Sequence, residues 1–209
     1  MTEGMDKRRY HSPLRQEQAL ATRTRILDAA LALFGRHGYG ATSIAAIARE
    51  AGVVTETIYA SFGSKRRIID GLVQRAAPPQ VLAELDGRWN ARAGDPWAQL
   101  EVVADFSTQF WGRNDALATV FRRGTGDADI ADEWAKRQGD RRAYFRHLLS
   151  GWPASVFRAG VDLDRAVDIL WGLNTDEVFH LFVRDRGWSS DDFRAWLVAL
   201  VRHEILAAD

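Results

Sequence analysis

Between Thr42 and Arg66 the chain reads TSIAAIAREAGVVTETIYASFGSKR, and its hydroxyls, its phenol and its cations are the groups whose spacing suits chemistry. That chemistry is hydrogen bonding rather than bond breaking. The chain offers no nucleophile elbow, no phosphate-cradling glycine loop and no paired metal-binding histidines, so no catalytic residue, metal ligand or cofactor site is assigned. Thr42, Ser43, Tyr59 and Lys65 are donors suited to phosphate oxygens. Thr55, Glu56 and Thr57 are short groups suited to base edges in a major groove.

Two short helices are needed to present them. Thr42 or Ser43 caps a first helix whose apolar side is Ile44, Ile47, Ala48 and Ala51. Gly52 takes the positive φ that ends it, and Ala48 leaves room for the two helices to cross. Val53, Ile58 and Phe62 form the apolar side of a second helix. Thr55, Glu56, Thr57, Tyr59 and Ala60 are left pointing outward. Two helices joined by a short glycine-containing turn form a helix-turn-helix, whose second helix enters the major groove of DNA.

The flanking segments support this unit. Ile26, Ala30, Leu33, Phe34 and His37 make one stripe of a preceding helix that starts near Thr22 and stops at Gly38 or Gly40. Arg23 and Arg25 near its start can reach a phosphate. Residues 1–17 read as a flexible basic arm carrying Lys7, Arg8 and Arg9, suited either to phosphates or to plain solvation. After Gly63, Ser64 caps a helix whose first turn holds Lys65, Arg66 and Arg67. Positive charge there opposes the helix dipole, and a DNA phosphate at that N-terminus is the expected compensation.

The run TRTRILDAALALFGRHGYGATSIAAIAREAGVVTETIYASFGSKRRII resembles the N-terminal domain of the tetracycline-repressor-like (TetR) family of bacterial regulators. The resemblance is carried by the Ile-Leu-x-Ala-Ala-x-x-Leu-Phe helix, Gly38 and Gly40 before Thr42-Ser43, Ala-Gly-Val, Ile58-Tyr59, Phe62 and Ser64-Lys65. It covers roughly residues 20 to 75. It implies a homodimer and a phosphate contact from Lys65; the expected contacts to a palindromic double-stranded operator are Arg23, Thr42, Ser43, Val54, Thr55, Glu56, Thr57, Tyr59 and Lys65. Val54 is a departure, since the family usually has a small hydroxyl residue there.

Composition agrees with a DNA-binding head on another body. Net charge is zero, yet residues through Arg75 hold 12 lysines and arginines against 7 acids, and the remainder holds 16 against 21. There are no cysteines. No segment has the length of a signal-peptide core or a membrane span, so a soluble cytoplasmic protein is expected.

The remainder reads as an all-α body. The expected domains are 18–77 for the head and 78–209 for the body, joined near Pro78-Pro79. Asp95-Pro96 starts a helix, Gly124–Asp127 and Gly151-Trp152-Pro153 bound a long one, and one helix is expected from Leu163 to Arg186. Ser189 caps a last one. All eight tryptophans follow residue 76. Phe106, Phe110, Trp111, Phe121, Trp134, Phe145 and Trp171 are candidates to enclose a small apolar or aromatic effector. Leu170, Asn174, Val178, Leu181, Trp196 and Leu200 are candidates for a four-helix dimer interface. The expected function is a repressor released from its operator by that effector; the alternative is a helical enzyme acting on a small apolar substrate in the same body.

Overall fold

The computed structural model describes residues 13–207, and every regular element among them is helical. They form two compact units, one running through Leu72 and the other from Val73. The division falls inside a helix, upstream of the expected boundary after residue 77. Lys7, Arg8 and Arg9 lie outside the described residues.

The first unit begins with α1, Pro13–His37. This corrects the expected arm: residues 13–17 are already helical. Proline suits a first helical turn, and the following RQEQAL segment consists of good helix formers. α1 packs on α2, Ile44–Ala51, which packs on α3, Thr55–Phe62; α4, Lys65–Ala76, follows. Ile26, Ala30, Phe34, Ile47, Ile58 and Ile68 make the centre of the core. Burying Ile47 and Ile58 completely contributes about 1.5–3 kcal/mol each, which holds the two short helices on α1. His37 is exposed, contrary to its place in the expected stripe. Tyr39, just past the Gly38 turn, is buried instead, its ring centroid 5.1 Å from that of Phe34.

The second unit contains α5 (Pro79–Asn90), α6 (Pro96–Arg113), α7 (Asp115–Arg123), α8 (Ala128–Leu149), α9 (Leu163–Leu173), α10 (Asp176–Phe179) and α11 (Ser190–Ile205). Its starts are set by side chains that satisfy the first free N–H groups. Asp95, Asp162 and Ser189 accept from Ala98 N at 3.0 Å, Arg165 N at 2.8 Å and Asp192 N at 3.0 Å. α11 packs against α6 and α9, and α8 against α9, around Leu100, Phe145, Leu149, Phe179 and Phe193.

One expected helix is interrupted. The stretch from Leu163 to Arg186 breaks after Leu173 and ends in a π-helical turn at His180–Asp185. Asn174 turns its amide to Ser107 Oγ at 2.8 Å, and Thr175 Oγ1 starts α10 by accepting from Val178 N at 3.2 Å. Arg141 takes two of the carbonyls at the broken end, donating to Asn174 O at 2.6 Å and Trp171 O at 3.2 Å. These side-chain partners replace backbone bonds that a continuous helix would have made.

Candidate nucleic-acid interface

α2 and α3 are short, so their ends decide where the outward face points. Ser43 Oγ accepts from Ala46 N at 3.1 Å to start α2. Gly52, at φ 64° and ψ 41°, ends it in the left-handed region, and Val53 N reaches back to Ala48 O at 3.0 Å. α3 then opens at Val54, whose backbone is extended, at φ −85° and ψ 156°, but whose side chain supplies no cap.

From that start, Ile58 and Phe62 turn inward. Val54 and Tyr59 are 63% and 55% exposed, Glu56 and Ala60 are exposed, and Thr55 and Thr57 are half-buried. Thr55 donates to the Glu56 carboxylate at 3.2 Å, which shields part of that charge on the face. The result is a short surface of two threonines, a phenol and small apolar groups, which fits a groove of hydrogen-bonding base edges.

Three expected contact residues have partners within the head. Thr42 is only 3% exposed, and its hydroxyl donates to Gly38 O at 2.7 Å. It staples the turn before α2 and has no surface for a phosphate. Lys65 Nζ donates to Tyr39 O at 2.9 Å and to Thr42 O at 3.3 Å, and lies 4.0 Å from the centroid of the Tyr39 ring. Carbonyl dipoles and a ring face therefore stabilise its charge without the phosphate that the dipole argument required. Arg23 donates to Ser61 O at 2.9 Å and stacks 4.0 Å from the Phe62 ring centroid. It ties α1 to the C-terminal end of α3, where carbonyls lack helical partners. Ser43 stays exposed, and its hydroxyl proton can still be donated outward.

Two positioning residues escaped the sequence reading. Tyr39 is one, as the anchor for Lys65. Gly71 is the other: a Cβ there would lie 2.9 Å from Phe62 Cε1 and 3.1 Å from Leu27 Cδ2. A glycine inside the otherwise amphipathic α4 was the available signal for such a close approach.

Residues 26–72, which contain this whole arrangement, match the family model described as bacterial regulatory proteins, tetR family. Over these residues the chain is similar to the TetR-family N-terminal domain. Among solved structures, NalD of Pseudomonas aeruginosa, the secondary repressor of the MexAB-OprM multidrug efflux pump, is similar at 22% identity, with a TM-score of 0.74 over 90% of this chain and 98% of that one. SmeT in a complex with triclosan is 19% identical, with a TM-score of 0.73 over 89% of this chain and 92% of that one. The fatty acid degradation regulator FadR of Bacillus halodurans is 21% identical, at 0.67 over 86% and 94%. At these identities the structures show a shared fold. No curated protein matches the sequence.

In the second unit the seven candidate effector aromatics are spread over the core and the ring pairs beside it. Phe145 is part of the body core, with Trp111 and Trp171 at its edge. Phe106 stacks on Phe110 at 5.9 Å, Phe110 meets Trp111 edge-on at 4.9 Å, and Phe121 pairs with Trp134 at 5.5 Å. The candidate dimer residues also divide. Leu170 and Asn174 are buried within their own body, the second by its bond to Ser107, so neither is available on a monomer surface. Leu181 is exposed, and Val178, Trp196 and Leu200 are half-buried. Of the six, Leu181 alone lies in the π turn, where an extra residue per turn rotates it relative to a regular helix.

A polar network surrounds the break between α9 and α10. Asp176 is buried and paired with Arg122, which also donates to Asp115 at 3.3 Å and Thr119 at 2.7 Å. Burial pushes the Asp176 carboxyl above its usual value, with Arg122 opposing the shift. Burial likewise pulls Arg141 down to about 10, against the pull of Glu177 and Asp176. No group of three or more histidine, aspartate or glutamate side chains among the described residues could hold a metal ion, and no helix among them is long and apolar enough to cross a membrane.

Proposed function

We propose that the protein is a homodimeric transcriptional regulator that occupies a palindromic operator and is released from it by a small molecule bound in the body. The outward face of α3 carries this reading: Thr55, Thr57 and Tyr59 lie outside the buried pair Ile58 and Phe62, on a helix whose C-terminal end Arg23 holds through the Ser61 carbonyl. One such helix reads few base pairs. Two of them, spaced about 34–36 Å apart by a two-fold axis, reach successive major grooves. The apolar surface at Leu181, Trp196 and Leu200 supports the pairing, and NalD, a repressor of similar fold, supports repression. SmeT is similar in fold and is known in complex with triclosan, which supports an effector of small, largely aromatic character. Such a molecule acts only through its preference for the body conformation that misplaces the heads.

The test is selection of bound sequences from random DNA by the full-length protein. The expected product is an inverted repeat, with affinity falling steeply as salt rises. Recovery of no enriched sequence, or of a lone half-site bound by a single chain, would overturn the reading.

A further inference from the structure

The side chains that open α3 offer acceptors and methyl groups, and their donors are already committed. Val54 is 63% exposed, and its carbonyl starts the helix by accepting from Thr57 N at 3.0 Å. Its side chain makes no cap bond, so two methyl groups stand at the tip. Thr55 gives its hydroxyl proton to Glu56 Oε2 at 3.2 Å. A hydroxyl has only one proton, so Thr55 keeps lone pairs and a methyl for any other partner. Glu56 is exposed, and its other oxygen, Oε1, remains for a donor from outside. It also stands centrally. Two residues before the fully buried Ile58 is about 200° around the helix, which puts Glu56 opposite the core.

A carboxylate in that place is selective because it is repelled by most of what DNA presents. Phosphates repel it, as do the O6 and N7 acceptors of guanine and the O4 of thymine. Adenine offers its N6 amino group but sets the N7 lone pair beside it. Cytosine offers its N4 amino group beside a C–H edge, with no acceptor on that flank of the ring. An acceptor with no proton of its own therefore suits cytosine best. Val54 has the opposite character. Its methyl groups form no hydrogen bonds, and the one apolar group on the major-groove edge is the thymine methyl. Thr57 and Tyr59 carry hydroxyls that can donate or accept, so they distinguish bases less sharply.

We infer that each operator half-site presents a cytosine to Glu56 and a thymine to Val54, and that these two side chains set the base preference of the head. The inference rests on the proposed function and adds the identity of the recognised bases to it. Glu56 works by exclusion: it adds nothing to binding of unrelated DNA, where its charge faces acceptors and phosphates. Thr55 acts on it as a positioning residue, holding Oε2 so that Oε1 is the oxygen presented.

The experiment selects bound sequences from random double-stranded DNA with the full-length protein, then scans the selected site by anisotropy with wild type, Val54→Ser and Glu56→Gln. Each half-site thymine is replaced in turn by deoxyuridine, which removes only the methyl group. Each C·G pair is replaced in turn by T·A, which exchanges the N4 donor for an O4 acceptor. At one thymine the loss of the methyl should weaken wild type about 3- to 10-fold and Val54→Ser less than 2-fold. At one cytosine the exchange should weaken wild type about 10-fold and Glu56→Gln about 2-fold or less. Glu56→Gln should also bind unrelated DNA more tightly than wild type, since a like charge is gone. Val54→Ser should melt at or above the wild-type temperature, because serine can cap α3, and this separates a lost base contact from a folding defect. A half-site without cytosine, or either preference persisting unchanged in its variant, would overturn the inference. An inverted repeat whose base preferences ignore both variants refutes these assignments and leaves the regulator reading standing. Enrichment of no sequence at all refutes both.

Discussion

The ammonium of Lys65 is bonded to the carbonyl of Tyr39 at 2.9 Å and sits over the same residue's ring. Together with the Thr42 carbonyl, this makes Lys65 a brace for the turn that leads into α2. Replacing it by methionine should lower the stability of the head by about 1–2 kcal/mol, the scale of a partly exposed charged hydrogen bond. It should also weaken operator binding. If Lys65 acts as a brace, the slope of log affinity against log salt stays at its wild-type value. A direct phosphate contact would instead reduce that slope by about one.

Val54 occupies a cap position with the right backbone and the wrong side chain. Val54→Ser should therefore stabilise the head by about 1 kcal/mol, because its hydroxyl can take the first free N–H groups of α3. The change is read as a rise in the urea midpoint at constant slope. An unchanged midpoint would mean that water already satisfies those groups at no cost.

Gly71 has no room for a methyl group. Gly71→Ala should cost about 1–3 kcal/mol, even though alanine is the better helix former, because Phe62 and Leu27 must both move. Since Phe62 is the last residue of α3, operator affinity should fall as well. A stabilised variant would show that the Phe62 ring yields freely.

The double substitution Thr57→Ala with Tyr59→Phe removes two hydroxyls from the outward face and touches no core group. Operator affinity should fall about 10-fold or more in an anisotropy assay, while the melting temperature stays within a degree or so of wild type. Unaltered affinity would remove these two residues from the interface.

Asp176 gives the body a pH dependence with a definite sign. Burial holds its folded-state carboxyl above the ordinary 3.8, so the folded protein binds that proton more tightly than the unfolded chain does. The resulting stability is complete below pH 3.8 and is lost as pH rises through the raised value. Asp176→Asn imitates the protonated acid and keeps an acceptor for Arg122. Its stability relative to wild type should therefore increase from about pH 4 upward and then level off. A gap that stays flat with pH would mean that Arg122 fully offsets the burial.

The sequence alone determined which elements form and where most of them end. Gly38 and Gly52 do take positive φ, and Ser43, Ser64, Asp95 and Ser189 do supply caps, because a cap is a bond between residues two or three apart. The outward set on α3 was equally legible, since burying Ile58 and Phe62 at a helical period leaves the other side to water. Only the tertiary structure decided what the cations and polar groups do. Lys65 reaches back 26 residues to Tyr39, Arg23 reaches forward 38 to Ser61, and Asn174 meets Ser107 across 67, and no local pattern encodes a partner so distant. The break at Asn174 and the separation of the body's aromatics arose the same way. Apolar period says that a side chain is buried, but only packing says against what.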